Sequence, residues 1–341
     1  MARPPTQIDT RPAITPSHAS AALRRWWGVD GDLEALPSER DQNFLVRDER
    51  GRPGWVLKIA NLEEPLEFLD CQYQAMALVA AAGVPVQPIR PTLAGDVVAG
   101  LGDSGPPWAR VLGWLPGRTM DSLGTRSPDL LVDLGETMGR SATALLAFEH
   151  PAARRPFQWD VQQAGAVIES GRAAVADSDR AALLAAVEAR LRSDLVPRLA
   201  SLRRSPIHND ANDHNVLVDD DGRRVTGLLD FGDMVHSVTA QEAAVACAYA
   251  MFGASDPMDV LRRVVVGFDA TCPLTADELD ALTSLVLARL GASVSISAIQ
   301  SRQAPDPYLR VSEEPAWRVL GWLMSEPPSR LRAAVHDAVG R

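Results

Sequence analysis

Apolar residues come in short runs broken by turn residues up to about residue 115, and from Ser127 onward they recur every three to four positions. The first regime predicts strands over Leu33 to Leu36, Asn43 to Arg47 and Trp55 to Ala60. They are joined by Pro37-Ser38-Glu39-Arg40-Asp41 and by the turn Glu49-Arg50-Gly51-Arg52-Pro53-Gly54. A short helix over Pro16 to Gly28 precedes them. A second helix is predicted from about Glu64 to Ala82, with Asn61 as its cap and Gly83-Val84-Pro85 as its stop. Its apolar face would carry Leu69, Tyr73, Met76 and Ala80. Two further strands, near Gln87 to Pro91 and Ala109 to Trp114, flank a Gly/Pro loop, and Leu115-Pro116-Gly117 reads as a linker.

The second regime predicts helices over Ser127 to Phe148, Ser178 to Leu202, Gln241 to Met251, Asp256 to Asp269 and Thr275 to Leu290. In the second of these, Leu183, Val187, Leu191, Leu195 and Leu199 recur at every fourth position. The last opens with the capping box Thr275-x-x-Glu278 and is expected to close at Gly291. Two β-like runs, Asn215 to Val218 and Val225 to Leu229, interrupt this half. The plan is α+β and two-lobed: an arm and helix over 1–31, a small β-rich lobe over 32–115, and a larger helical lobe with an embedded hairpin over 116–341.

Composition narrows the class. The 341 residues are 46% hydrophobic and 23% charged, which excludes a disordered chain. No apolar run is read as reaching the roughly 18 residues of a membrane span, since Gln241 and Glu242 break the most apolar stretch, Val238 to Met251. Cys71, Cys247 and Cys272 are too few and too scattered for a disulfide or zinc framework. The proline-rich N-terminus lacks the apolar core of a signal peptide, so a cytoplasmic protein is expected. A net charge of −10 argues against a general nucleic-acid binder. One detail says more: among 34 lysines and arginines, the only lysine is Lys58. Arginine is a planar fork and lysine a compact point charge, so the surviving lysine marks a place such as a tight phosphate site.

The densest polar cluster runs from His208 through Asn209, Asp210, Asn212, Asp213 and His214 to Asn215. Fifteen residues after Asn215, Asp230-Phe231-Gly232-Asp233 ends a second strand. An aspartate in such a loop can take a proton from a hydroxyl nucleophile. An asparagine five positions on and an aspartate at the neighbouring strand end can hold Mg²⁺ against nucleotide phosphates.

This H-x-D-x-x-x-x-N, followed by D-F-G and preceded by Val56-Leu57-Lys58-Ile59, resembles the kinase signature set. Asn209 stands where protein kinases have arginine, and no G-x-G-x-x-G loop is present. In this the chain is similar to the aminoglycoside phosphotransferase and choline kinase group of small-molecule kinases. Ser38-Glu39-Arg40-Asp41-Gln42-Asn43-Phe44, Phe157-Gln158-Trp159-Asp160, His208-Asn209-Asp210 and Asp230-Phe231-Gly232-Asp233-Met234 resemble the hydroxylysine kinase family, from about residue 32 to 325.

The resemblance implies a protein-kinase-like fold and Mg²⁺-dependent transfer of the γ-phosphoryl group of ATP or GTP to a small amino-alcohol, 5-hydroxylysine being the favoured acceptor. It implies Asp210 as the base, Asn215 and Asp230 as Mg²⁺ ligands, and Lys58 on the α/β-phosphates. Ser38 to Asn43, with Arg40, would cover the phosphates, and the backbone of Leu112 to Leu115, with Gly113 and Leu115, would meet the purine. His208 would brace the loop. Asp213, Asp233, Glu242 and Trp159 are candidates for the acceptor, Trp317 and Trp322 for a cation-binding wall. Gln72 stands where aminoglycoside kinases place a glutamate for the strand lysine, with Glu67 and Asp70 nearby, so the partner of Lys58 stays open. Choline/ethanolamine kinase and antibiotic kinase are the alternatives within the class. A non-catalytic nucleotide-binding module is the alternative outside it, although such folds usually lack the base, the metal ligands or the lysine, all present here.

Overall fold

The computed structural model describes residues 11–38, 40–102, 105–303 and 313–341; Glu39 of the expected phosphate loop and the first ten residues of the expected arm lie outside the described residues. Contacts divide the chain into two units, Met1–Ala77 with Val86–Pro116, and Leu78–Pro85 with Gly117–Arg341.

The first unit begins with α1 (Pro16–Ala22), capped by Thr15, whose hydroxyl accepts the His18 N–H at 3.3 Å. It widens into a π turn over Leu23–Trp27 and stops at Gly28, whose φ of 60° is left-handed. Strands β1 (Asp32–Leu36), β2 (Gln42–Arg47) and β3 (Pro53–Ile59) follow, and after α2 (Leu66–Ala81) come β4 (Ile89–Arg90), β5 (Ala99–Gly100) and β6 (Trp108–Gly113). The sheet is antiparallel in the order β1-β2-β3-β6-β4, with β5 also on β6. Its apolar face packs Phe44, Val46, Leu57, Ile59 and Val111 against Ala19, Leu23 and Trp27, so the helix read from sequence as an arm supplies part of this core.

Register places Asn43 opposite Lys58 and Lys58 opposite Arg110, a polar row across three strands. The buried stripe of α2 is Phe68, Leu69, Gln72, Ala75, Met76 and Val79, with Ala80 exposed and Tyr73 half-buried. It is rotated from the predicted face and has Gln72 at its middle. Asn61 caps a preceding turn through Glu63, while Pro65 supplies the carbonyl that accepts the first helical N–H groups, of Phe68 and Leu69.

In the second unit, β7 (Arg118–Thr119), α3 (Pro128–Leu145), α4 (Ala164–Arg172) and α5 (Ser178–Arg190) lead into four strands, β8 (Arg204–Ile207), β9 (Val216–Val218), β10 (Val225–Leu228) and β11 (Val235–Val238). Helices α6 (Gln241–Ala250), α7 (Pro257–Thr271), α8 (Ala276–Gln303), α9 (Glu313–Ser325) and α10 (Pro328–Ala338) complete it. The strands form two small antiparallel sheets, β10-β9-β7 and β11-β8. The α5 helix is shorter than its leucine repeat suggested. It widens into a π turn over Leu191–Leu195 and ends in a 3₁₀ turn at Val196–Arg198, where Pro197 lacks the N–H to continue.

The α8 helix differs the other way, running through Gly291 to Gln303 behind the predicted capping box, in which Thr275 N–H meets Glu278 Oε2 at 2.8 Å and Glu278 N–H meets Thr275 Oγ1 at 3.2 Å. A Cβ at Gly291 would lie 2.7 Å from Ile168 Cδ1, so the glycine lets α4 approach rather than ending the helix. Over Ala276–Arg302 it is long enough, and in an 18-residue window apolar enough, to cross a membrane, contrary to the sequence reading. Yet 83% of that window is buried inside this unit, as befits a core helix.

Helices α3 and α7 meet through glycines. A Cβ on Gly135 would lie 2.1 Å from the Val264 carbonyl oxygen, and one on Gly267 would lie 2.0 Å from that of Val132. Gly267→Ala therefore forces backbone apart and is expected to cost about 1–3 kcal/mol or more, read as a lower denaturant midpoint at unchanged m. An unchanged midpoint would show the helices free to separate.

Candidate active site

Because β8 pairs with β11 and β9 with β10, the connections His208 to Asn215 and Leu229 to Met234 leave neighbouring strand ends together. The Leu229 N–H donates to the Asn215 carbonyl at 2.8 Å. His208 is buried between the two connections. Its Nε2–H donates to the Leu229 carbonyl at 2.9 Å, its Nδ1 accepts the Asp210 N–H at 3.2 Å, and its ring meets Phe231 edge-on at 4.6 Å. Burial holds its pKa down at about 4, so it is a neutral brace.

Two non-glycine residues here are left-handed, Asn209 with φ 68° and Asp230 with φ 56°. Side chains fix both. Gln241 Nε2 donates to Asn209 Oδ1 at 2.6 Å, Asn209 Nδ2 donates to the Asp233 carbonyl at 3.3 Å, and Asp230 Oδ1 accepts the Gly232 N–H at 3.0 Å. Glu242, at the start of α6, accepts the N–H groups of His208 and Asn209. Burial pushes its pKa up to about 7 against those amides.

Asp210 is held on both oxygens. Asn215 Nδ2 donates to Oδ2 at 2.6 Å, while Asn212 Nδ2 and Arg289 Nη2 donate to Oδ1 at 2.9 and 2.8 Å. The Arg289 side chain, on α8, is 2% exposed. It also donates from Nη1 to the Asn209 carbonyl at 3.1 Å and to Tyr249 Oη, and its Cζ lies 4.3 Å from the Trp159 ring centroid. Burial and the Asp233 carboxylate push the Asp210 carboxyl up, Arg289 pulls it down and Asp230 adds to the rise, leaving it at about 8. That is the range of a proton acceptor working near neutrality.

Asn215 spends its amide nitrogen on Asp210, which leaves its amide oxygen for another partner, and Asp230 is exposed at the adjoining strand end. Among the described residues no group of three or more His, Cys, Asp or Glu could hold a metal. The two hard oxygens beside neighbouring strand ends, from Asn215 and Asp230, are the groups that would hold a cation such as Mg²⁺, which keeps water and phosphate as its other ligands.

Other predicted residues take different places. Glu242 is fully buried on loop amides and has no face for an acceptor ammonium. Asp213 is buried 3.4 Å from Arg126, and burial raises its pKa. One face of Trp159 is covered by Arg289, and Arg180 lies 5.2 Å over Trp317, so both rings already meet a cation of the chain itself. Asp233 stays half-buried on the loop after Phe231.

In the first unit, Lys58 Nζ lies 3.2 Å from Asp41 Oδ2, whereas Gln72 Oε1 accepts from Arg110 Nη2 at 2.5 Å. Ser38 and Arg40 flank the undescribed Glu39, and Asn43 sits on β2 beside Lys58. Gly113 gives its N–H to the Pro88 carbonyl at 2.7 Å and its carbonyl accepts Gln87 Nε2 at 3.1 Å, so of the two positions assigned to the purine, Leu115 is the one outside these contacts. Arg289 was missed, and Asp41 was named only as part of the Ser38 to Asn43 segment. Arg289 had a signal, as the single charge between Asp280 and Arg302 on an apolar helix.

Residues 32–277 match the phosphotransferase enzyme family. A curated hydroxylysine kinase of Mus musculus is 29% identical over 342 residues, covering 92% of this chain and 90% of its own. In fold, the chain is similar to a microcompartment-associated aminopropanol kinase (TM-score 0.66, 16% identity, 95% and 99% of the two chains). It is also similar to an amicoumacin kinase solved with AMP-PNP, Ca²⁺ and its antibiotic (TM-score 0.62, 13% identity, 87% and 89%).

The lowered His208 pKa has a testable sign. Between pH 6.5 and about 4 the unfolded chain binds a proton at this residue that the folded chain refuses. Its contribution to stability is therefore full above 6.5 and falls away as the pH drops, by up to about 1.4 kcal/mol per pH unit. Denaturant unfolding at several pH values should give a flatter dependence for His208→Gln than for the parent; parallel curves would contradict the assignment.

Proposed function

The chain belongs to the phosphotransferase enzyme family, and on that premise we propose that it moves the γ-phosphoryl group of ATP or GTP, with Mg²⁺, to the hydroxyl of a small amino-alcohol, 5-hydroxylysine above others. It is a kinase acting on an alcohol group. The observation that carries the chemistry is the Asp210 carboxylate, gripped by Asn215, Asn212 and Arg289. The acceptor rests on the hydroxylysine kinases that align along nearly the whole chain.

In this reading Asp210 takes the hydroxyl proton while the acceptor oxygen bonds to the γ-phosphorus. The bond from that phosphorus to the β–γ bridging oxygen breaks, and the nucleoside diphosphate leaves. Mg²⁺, when bound, neutralises charge on the phosphates. Asn215 through its amide oxygen and Asp230 through its carboxylate would hold it. Lys58 would meet the α/β-phosphates, the Ser38 to Asn43 segment would cover them, and the chain at Leu115 would meet the purine. With one face of Trp159 occupied by Arg289, the half-buried Asp233 is the better partner for an acceptor ammonium. This favours an amino-alcohol read by a carboxylate over a quaternary ammonium read by a ring.

The test is nucleoside diphosphate release with Mg²⁺, with ATP and GTP run separately against 5-hydroxylysine, ethanolamine, choline and aminoglycosides. Stimulation by 5-hydroxylysine supports the reading. Stimulation only by another panel member overturns the acceptor, and no stimulation by any overturns the amino-alcohol assignment. Asp210→Asn is expected to lower turnover by about 10²–10⁴-fold while sparing donor affinity, the range of general-base contributions. Unchanged turnover would remove Asp210 as the base.

A further inference from the structure

We propose that Asp41, rather than Gln72 of α2, anchors the chain's single lysine, so that the segment covering the donor phosphates also positions Lys58. The inference rests on the kinase reading only for its consequence in donor binding; the anchoring itself is a matter of the first unit alone.

Lys58 is 7% exposed, and a buried ammonium needs a fixed counter-charge. The Asp41 carboxylate is fixed. Its Oδ2 lies 3.2 Å from Lys58 Nζ, and its Oδ1 accepts the Asn61 N–H at 3.0 Å. Asn61, also buried, returns its amide nitrogen to the Arg40 carbonyl at 3.3 Å. The loop and the end of β3 therefore hold each other at this carboxylate.

Gln72, the residue of α2 standing where a glutamate would be expected, is engaged elsewhere. It is 1% exposed and accepts from Arg110, itself 5% exposed, at 2.5 Å. Register sets Arg110 directly opposite Lys58 on the same sheet face. Two neighbouring cations repel, and each has its own partner: the guanidinium fork takes the neutral amide from the helix, and the ammonium takes the carboxylate from the loop. Arg110 thus takes the Gln72 amide oxygen on α2 while Asp41 meets the lysine. Asp41 is a positioning residue, and any donor that reorders the Ser38 to Asn43 segment moves the counter-ion of Lys58 with it.

The sole lysine is its own probe, because protein grown with lysine ¹³C-labelled at Cε gives a single lysine signal. Asp41→Asn is expected to shift that signal and to weaken donor binding by about tenfold or more, with a smaller change in turnover at saturating donor. Gln72→Met, which removes the contact with Arg110, is expected to leave the signal in place. A signal unmoved by Asp41→Asn, or moved as far by Gln72→Met, overturns the proposal. Should Asp41→Asn not fold, the Asp41→Asn/Lys58→Met pair removes both charges and is expected to fold; failure of the pair as well would assign Asp41 a loop role without Lys58 and overturn it. Parent protein that binds neither ATP nor GTP would sink the kinase reading, yet the lysine signal would still decide the anchor.

Discussion

The second unit is organised around one buried guanidinium. Arg289 sits on the core helix α8 at 2% exposure, where a charge cannot be left without partners. Its donors go to Asp210, to the Asn209 carbonyl and to Tyr249 Oη, and its flat face lies against Trp159. These contacts land on the connection His208 to Asn215, on α6 at Tyr249 and on the segment before α4 at Trp159. The desolvation cost of the arginine is thus offset only when Asp210 is in one place with its carboxylate in one rotation. Lysine, with a single nitrogen, could not make the same set of contacts.

The rest of the connection is held in the same spirit, by polar groups that would be expensive to bury alone. Glu242 and Gln241 at the start of α6 collect the amides of His208 and Asn209 and the side chain of Asn209. His208 ties the Asp210 amide to the Leu229 carbonyl. These bonds maintain two left-handed residues that would relax in a free chain, at Asn209 and Asp230. The first unit follows a similar logic on its polar sheet row. Lys58 and Arg110 face each other across β3 and β6, and each is matched from a different element.

What was readable in the sequence was local. The spacing of His208, Asp210, Asn215 and Asp230 is set by the β9–β10 hairpin nested in sequence between the paired strands β8 and β11, so the motif and its strand ends could be placed before the fold was known. Arg289 lies 79 residues from Asp210 and belongs to no motif; its trace was a lone charge in an apolar helix, a feature visible but not used. Glu242 stood out as one of the carboxylates around the loop, and its assignment to the acceptor gives way because a buried carboxylate can serve backbone amides just as well. Gly291 looked like a helix end, since a glycine needed for close approach of α4 is indistinguishable from a stop without the neighbour. The partner of Lys58 was sought on α2 because similar kinases place a glutamate there for the strand lysine. It lies in a loop, where no period points to Asp41.

The most direct test of this account is turnover of Arg289→Lys at saturating donor and acceptor, set beside its affinity for the donor. The charge is kept, and what is lost is the fork that holds Asp210, Asn209 and Tyr249 together. The account predicts turnover reduced by about tenfold or more with donor affinity unchanged. Turnover equal to that of the parent would show that Asp210 does not depend on Arg289 for its position.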